Sequence, residues 1–205
     1  MSSKDYIDLF KKHPEIPIFH VNDFEVLLNQ KKEVIRVELV RMVKKGLLSK
    51  LTNGFYANPF SYPSLDQIAM YLKKPSYISL EKALNIHGII PQTAYTYTMV
   101  TVNSPHIYSV NQNIFEYHHI QLSYFFGFQK SNQNVYLADP EKALLDFLYF
   151  RYFREKIANR TMILSILDDM DFDTINKFRF LTYAKRMVLK EKILSNFTKL
   201  LNFLY

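Results

Sequence analysis

The apolar positions of the first sixty residues fall into three helical stretches followed by a short extended one. Over 4–12, Tyr6, Ile7, Leu9 and Phe10 supply the apolar side of a short helix, and Pro14 and Pro17 end it and lead into the extended pair Ile18-Phe19. Asn22 or Asp23 is placed to cap a second helix carrying Phe24, Val26, Leu27 and Leu28, by accepting an otherwise orphaned backbone N–H. A tight Asn29-Gln30 connection leads to a third helix over 31–45. Its residues Ile35, Leu39, Met42 and Val43 keep the i, i+4, i+7, i+8 spacing of one helical face. Gly46 stops this helix, and Lys44 and Lys45 lie where a cation favours the negative end of the helix dipole. The segments 47–51 and 55–57 flank Thr52-Asn53-Gly54. The Asn-Gly pair predicts a hairpin with a type I′ turn, which needs positive φ at both central residues.

The spacing of Pro59 and Pro63 suits neither a helix nor a central strand, so the domain boundary is expected there, dividing the chain into 1–58 and 59–205. After it, Ser64 can cap a helix over 64–74 with Leu65, Ile68, Ala69 and Leu72 inward, and a second helix over 79–87 is closed by Gly88. From 95 to 138 the pattern becomes that of strands: 95–102 is rich in β-branched and aromatic residues, and 107–110 and 114–120 meet at Asn111-Gln112-Asn113. Shorter apolar runs, 124–128 and 135–137, flank a polar loop at 130–134. A helix over 140–153 is apolar nearly all round and is expected at the centre, with further helical segments over 161–168, 174–183 and 185–204. The fold class expected is α+β: an N-terminal winged helix-turn-helix, then a mixed domain with a small antiparallel sheet and several helices.

Composition narrows the functional classes. With 48% apolar and 22% charged residues, the 205-residue chain is that of a folded protein and not a disordered or fibrous one. It has no cysteine, which removes disulfide scaffolds, thiolate zinc sites and a Cys nucleophile. The first residues carry charges at Lys4, Asp5 and Asp8 and form no signal-peptide core, and no segment has the apolar run a membrane span needs, so a cytoplasmic location is expected. The net charge of +7 is unevenly spread. Residues 31–50 contribute seven basic and two acidic side chains, 176–205 contribute seven and one, and the rest of the chain is slightly acidic. Two such segments suit a polyanionic partner, nucleic acid or an acidic protein surface.

The first of them coincides with the third helix and the hairpin. In a winged helix-turn-helix the later helix enters the major groove while the wing contacts flanking backbone. Lys31, Lys32, Arg36 and Lys44 avoid the apolar stripe, as do Val37 and Val40, while Arg41 lies near its edge and Lys50 falls on the first wing strand. Lys31, Lys32 and Arg36 are therefore the candidates for base edges. Arg41, Lys44 and Lys50 are those for phosphate, with Asn53 at the wing tip reaching a minor groove or phosphate or serving only as a turn residue.

Three blocks carry a family resemblance: Met42-Val-Lys-Lys-Gly-Leu-Leu-Ser-Lys-Leu-Thr-Asn-Gly-Phe-Tyr-Ala, Tyr77-Ile-Ser-Leu-Glu-Lys-Ala-Leu-Asn-Ile-His-Gly-Ile-Ile-Pro, and Ala138-Asp-Pro-Glu-Lys-Ala-Leu-Leu-Asp-Phe-Leu-Tyr. In order and spacing, over about residues 15–153, the chain resembles the AbiEi family of abortive-infection antitoxins. The resemblance implies a two-domain antitoxin and transcriptional regulator of a type IV toxin–antitoxin operon. Its N-terminal domain would bind inverted repeats in its own promoter. Its C-terminal domain would counteract a nucleotidyltransferase-like toxin without needing a stable complex. The charged positions of the family's recognition helix are matched in type by Lys31, Lys32, Arg36 and Arg41, whereas Glu33 and Glu38 depart from that pattern and oppose phosphate.

Other chemistry finds less support. Asp139, Pro140 and Glu141 read as a capped helix start rather than an acid–base site, and Asp146 as a buried anchor for the basic tail. His118 and His119, adjacent on a strand, point to opposite faces and do not share a metal, and His87 and His106 complete no ligand motif. No phosphate-binding glycine loop or nucleophile elbow is present, so no catalytic residue, metal or cofactor is expected. The second basic segment, with Lys177, Arg179, Lys185, Arg186, Lys190, Lys192 and Lys199, supports an alternative: a protein-interaction module whose C-terminal helices bind an acidic partner such as the toxin directly.

Overall fold

A computed structural model describes residues 3–91, 95–131, 134–153 and 167–187. The chain is mixed α+β, with seven α-helices among the described residues and two sheets. It divides into two compact units, one of residues 1–72 with the hairpin tip 108–112, the other of 73–107 with the remainder from 113. The division follows Leu72, whereas the proline pair had suggested 58. The reason lies in Asn58, which is 1% exposed. Its amide donates to the carbonyls of His13 and Ile16 at 2.9 and 3.0 Å, and its carbonyl oxygen accepts from Phe60 N–H at 3.0 Å. These bonds tie the start of the proline-rich segment back to the turn that follows the first helix.

The first unit begins with α1 (Ser3–Lys12), strand β1 (Ile18–His20), α2 (Val21–Leu28) and α3 (Lys32–Lys44). Strands β2 (Ser49–Thr52) and β3 (Phe55–Ala57) follow, then α4 (Leu65–Leu72). The three strands form an antiparallel sheet in the order β1-β3-β2. Tyr6, Phe10, Phe19, Phe24, Ile35, Leu39 and Met42 form its core, with Phe10 and Phe24 edge to face at 5.6 Å. Ser64 and Gln67 make the reciprocal bonds of a capping box at the start of α4.

The cap of α2 and the hairpin turn differ from what the sequence predicts. The cap of α2 is His20: its Nδ1 accepts from Asn22 N–H at 3.3 Å, while Asp23 accepts from His20 N–H at 2.6 Å. Asp23 thus works from inside the first turn. The hairpin turn is not type I′, because Gly54 has φ +82 while Asn53 is not among the residues with positive φ. A register shift between Lys50 and Thr52 supplies the extra twist that a primed turn would have given.

The second sheet has six strands, most of them in the second unit, and is larger and more mixed than the small antiparallel one expected. Its strands are β4 (Ser76–Ile78), β5 (Thr96–Thr101), β6 (His106–Val110), β7 (Asn113–His119), β8 (Phe128–Lys130) and β9 (Tyr136–Ala138), in the order β6-β7-β5-β4-β9-β8. β5 pairs with β7, and β4 with β9, in parallel, while β4–β5 and β8–β9 are antiparallel. β4 escapes the sequence pattern because three residues, all buried, show no alternation. Residues 124–128, expected to be extended, instead close a 3₁₀ turn at Leu122–Tyr124 before β8 begins.

Helix α5 (Leu80–Ile86) ends at Gly88, with φ +74. Helix α6 (Pro140–Leu148) is central as expected, buried from Glu141 to Leu148, and gives way to a π-helical turn at Tyr149–Phe153. α5 and α7 (Lys177–Arg186) both pack on α6. The segment expected over 161–168, but for its last two residues, and all of 188–205 lie outside the described residues, and with them Lys190, Lys192 and Lys199. Among the described residues no helix is long and apolar enough to cross a membrane.

Candidate nucleic-acid interface

Helix α3 turns Ile35, Leu39 and Met42 into the core, each 0% exposed, so its opposite side faces solvent. With 3.6 residues per turn, Arg36 and Lys32 fall on one flank, Arg41 on the other, and Lys44 on the crest. Arg36, Arg41 and Lys44 are exposed and Lys32 is half-buried. Lys31 is exposed at the N-cap, where its side chain makes no capping bond. Two lysines at the positive end of the helix dipole are unfavourable to α3 itself, and this is an arrangement that an anion would relieve.

The inner flank meets the hairpin at His20. Its ring packs tilted against Phe55, with centroids 4.7 Å apart, and a Cβ on Gly54 would come within 2.9 Å of its Nε2. Burial holds the imidazole pKa below its ordinary value; Asp23 opposes this, and the charges of Lys32 and Arg36 reinforce it. Val21 N–H donates to Gly54 O at 2.8 Å, so the turn is pinned to the start of α2. On the turn, Lys50 Nζ donates to Asn53 Oδ1 at 3.0 Å, and both side chains are exposed. Lys32 with Arg36, and Lys50 with Asn53, are thus brought together. Arg41 is separated from them and pairs instead with Glu38 at 3.4 Å.

Glu38 also accepts from Ser3 Oγ at 2.7 Å, and the Ser3 bond, with Arg41, lowers its pKa. This carboxylate is turned toward α1 and away from the solvent crest. Glu33 remains exposed on the outer face. Neither His20 nor the Ser3–Glu38 bond has a sequence signal of its own, since both depend on contacts between elements.

Three further places differ from this face. An open groove of ≈ 410 Å³ between the α3–β2 turn, the hairpin and Asn58–Pro63 has no charged side chain in its lining. In the second unit, Asp146 accepts from Tyr77 OH and Ser79 Oγ, both at 2.8 Å, and pairs with Lys142, which also donates to Tyr77 OH at 3.0 Å. All four residues are 0% exposed. Among the described residues, Asp146 anchors its own helix to β4 and Ser79, whereas most of the basic tail it was expected to hold lies outside them. Burial raises the Tyr77 hydroxyl pKa well above its ordinary value and lowers that of Lys142, Asp146 reinforcing the first and opposing the second.

At the start of α6, Asp139 forms no local side-chain cap. It accepts instead from Gln129 Nε2 and Tyr183 OH at 2.8 Å, joining β8 and α7. Glu141 accepts from Asn176 N–H at 2.7 Å and lies 3.6 Å from Arg179. Among the described residues no three His, Asp or Glu side chains converge as a metal site would require. His118 lies by Glu116 at 3.3 Å, whereas His119 bonds the Asn103 carbonyl at 3.1 Å. In comparisons with known proteins, no family model and no curated protein matches the chain.

Proposed function

We propose that the chain is a DNA-binding antitoxin of a type IV toxin–antitoxin, or abortive-infection, system. In this reading it represses its own operon from the cytoplasm and counteracts a nucleotidyltransferase-like toxin. Residues 1–58 act as a winged helix-turn-helix, α3 entering the major groove and the β2–β3 hairpin serving as wing. The single observation that carries the reading is the solvent face of α3, which presents Arg36, Arg41 and Lys44 in the same compact unit as the Lys50–Asn53 hairpin tip. In this arrangement Lys31, Lys32 and Arg36 approach base edges, and Arg41, Lys44 and Lys50 neutralise phosphates. The inward turn of Glu38 removes one of the two acidic obstacles. The toxin is countered by residues 59–205 without a lasting complex.

Binding to duplex DNA from the gene's own upstream region, compared with unrelated duplex over a salt series, tests the reading. The expected result is selective binding with a steep negative salt slope, abolished by Arg36→Glu or Lys44→Glu with the fold intact. Equal, weak binding to both duplexes would overturn it. The alternative, a protein-interaction module using the basic C-terminal helices, is less favoured because two of the cations of α7 are engaged within their own unit. Arg179 pairs with Glu141, and Arg186 lies over the Phe126 ring at 3.9 Å. Co-purification with a toxin encoded nearby, in high salt, would favour it instead.

A further inference from the structure

The crest of α3 is not purely basic. Val34, Val37 and Val40 are 54%, 52% and 48% exposed, one every three residues, forming an oblique apolar stripe that crosses the face from the Arg41 flank toward Arg36. Among the described residues nothing covers them. Valine is a poorer helix former than the alanine, glutamate or lysine usual on a solvent face, because its branched β-carbon loses rotamer freedom against the preceding turn. Left in water, these side chains also gain nothing from burial. A single exposed valine needs no explanation, but three in register on a helix face that is otherwise charged mark a contact surface.

The occupant must accept cations at the flanks and apolar groups along the middle. The floor of the major groove does both: phosphates line its edges, and the 5-methyl group of thymine is the one apolar substituent any base displays there. Val37 and Val40 lie nearest the crest, beside Lys44, and would reach deepest. Val34, on the turn nearest the Lys31–Lys32 end, lies toward the Arg41 flank.

We infer that Val37 and Val40 are specificity-determining residues, which recognise thymine 5-methyl groups in the operator half-site. This rests on the DNA-binding reading and adds to it the base chemistry that is read: apolar contact at the centre of the site, with charged contacts at its borders. It follows that the residues fixing the operator sequence are not only the lysines and arginines. Thymine is required at the one or two positions facing the middle of α3.

The test uses the full-length protein and the gene's own upstream fragment, amplified once with dTTP and once with dUTP, so that one duplex lacks every thymine methyl. Burying one methyl is worth a factor of about four in affinity, the equivalent of about 0.8 kcal/mol. Wild-type protein is expected to lose at least that factor on the uracil duplex, while its binding to unrelated DNA is unchanged by the same replacement. Val37→Ala/Val40→Ala, which improves helix propensity and leaves the core untouched, is expected to lose a similar factor on the thymine duplex and to be indifferent to uracil.

Equal wild-type affinity for both duplexes, with selectivity over unrelated DNA retained, overturns the inference while the repressor reading stands. The valine stripe would then be left for a protein partner. A double variant that still discriminates thymine from uracil overturns it too, since the methyls would be sensed elsewhere or through duplex shape. Loss of all selectivity for the upstream fragment by the wild type removes the DNA-binding reading itself, and the inference with it.

Discussion

Helices α3 and α6 both carry acidic and basic residues within a few turns, yet they use them in opposite ways. On α6, Glu141, Lys142 and Asp146 are at most 1% exposed, and each is held by groups from other elements. On α3, the cations Arg36, Arg41 and Lys44 face water, and of its carboxylates Glu38 alone is drawn back toward the body of its unit. Burying an ion pair costs several kcal/mol of desolvation that mutual attraction only partly returns, so the α6 cluster is a poor means of gaining stability. What it does well is fix one arrangement, because any other leaves a charge unpaired in the interior. Apart from Glu38 with its partners Ser3 and Arg41, the α3 charges do nothing of the kind for the fold, and that freedom suits them to an outside partner.

The largest effect should come from breaking the α6 cluster. Asp146→Ala leaves Lys142 buried without its counter-charge and is expected to cost about 3–5 kcal/mol in denaturant unfolding. Replacing the pair together, as Lys142→Met/Asp146→Leu, should recover part of that loss, since no buried charge is stranded although the Tyr77 and Ser79 hydroxyls lose their acceptor. The pH dependence sharpens the assignment. Burial already lowers the pKa of Lys142, and removing Asp146 takes away the group that opposes this. The unfolded chain of the Asp146→Ala variant then binds a proton that the folded chain has shed, up to the ordinary lysine range. Its stability should therefore rise with pH toward about 10 and fall again on acidification. A cost under about 1 kcal/mol with no such slope would mean that α6 does not depend on these charges, and the contrast with α3 would fail.

How much of this was legible in the sequence depended on how local the cause was. The apolar spacing of Ile35, Leu39 and Met42, the stop at Gly46, the Ser64 cap and the all-round burial of α6 each depend on neighbours a few residues away, and each was anticipated. What escaped was decided between elements. His20 took the capping role from Asn22 because β1 delivers it to the start of α2, and Asp139 turned from its own helix to Gln129 and Tyr183. The parallel pairing of β4 with β9 and β5 with β7 could not be read from strands of three to seven residues. Of the seven residues put forward for DNA, Lys32, Arg36, Arg41 and Lys44 lie on α3, Lys31 at its N-cap, and Lys50 and Asn53 on the hairpin. Their split into two flanks around a valine stripe required the environment of α3: His20 on one side, Ser3 and Glu38 on the other.

A smaller effect is expected where the hairpin is pinned beside α3. Gly54 has φ +82 and its backbone lies against the His20 ring, so Gly54→Ala adds both backbone strain and a close contact. A loss of about 1–2 kcal/mol is expected in thermal or denaturant unfolding. If the hairpin orients α3's inner flank, selective DNA binding should weaken more than the stability loss alone explains. A neutral Gly54→Ala variant would show that the turn is held loosely and that the α3 face does not rely on it.

Smaller still is the contribution of His20 to pH dependence. Because burial, reinforced by Lys32 and Arg36, holds its folded pKa below the ordinary value near 6.5, the unfolded chain takes up the proton first as pH falls. Stability therefore declines as pH drops from about 7 toward 5, and the decline levels off below the folded pKa. His20→Asn keeps an acceptor at the cap and cannot titrate, so the difference between its pH–stability curve and that of the wild type isolates this one group. Parallel curves over that range would place His20 in an environment no different from water.

The smallest effect on the fold should come from α3's own cations, and this is where the comparison of the two helices is most exposed. Lys44 touches no partner within the core and gives only a weak favourable term at the helix C-terminus, so Lys44→Ala should leave unfolding free energy within about 0.5 kcal/mol of wild type. On DNA the same change should flatten the slope of log affinity against log salt by about one unit, since one fewer counterion is released, and should do so on every sequence alike. Arg36→Ala is expected to be as mild on stability but to weaken the upstream duplex more than unrelated DNA, because its place near the start of α3 directs it to base edges. A helix whose charges cost the fold nothing to remove, and cost DNA affinity in two distinguishable ways, is organised for a partner. If instead Lys44→Ala destabilised the protein as Asp146→Ala is expected to, the α3 charges would be structural after all, and the basic face would need no ligand to explain it.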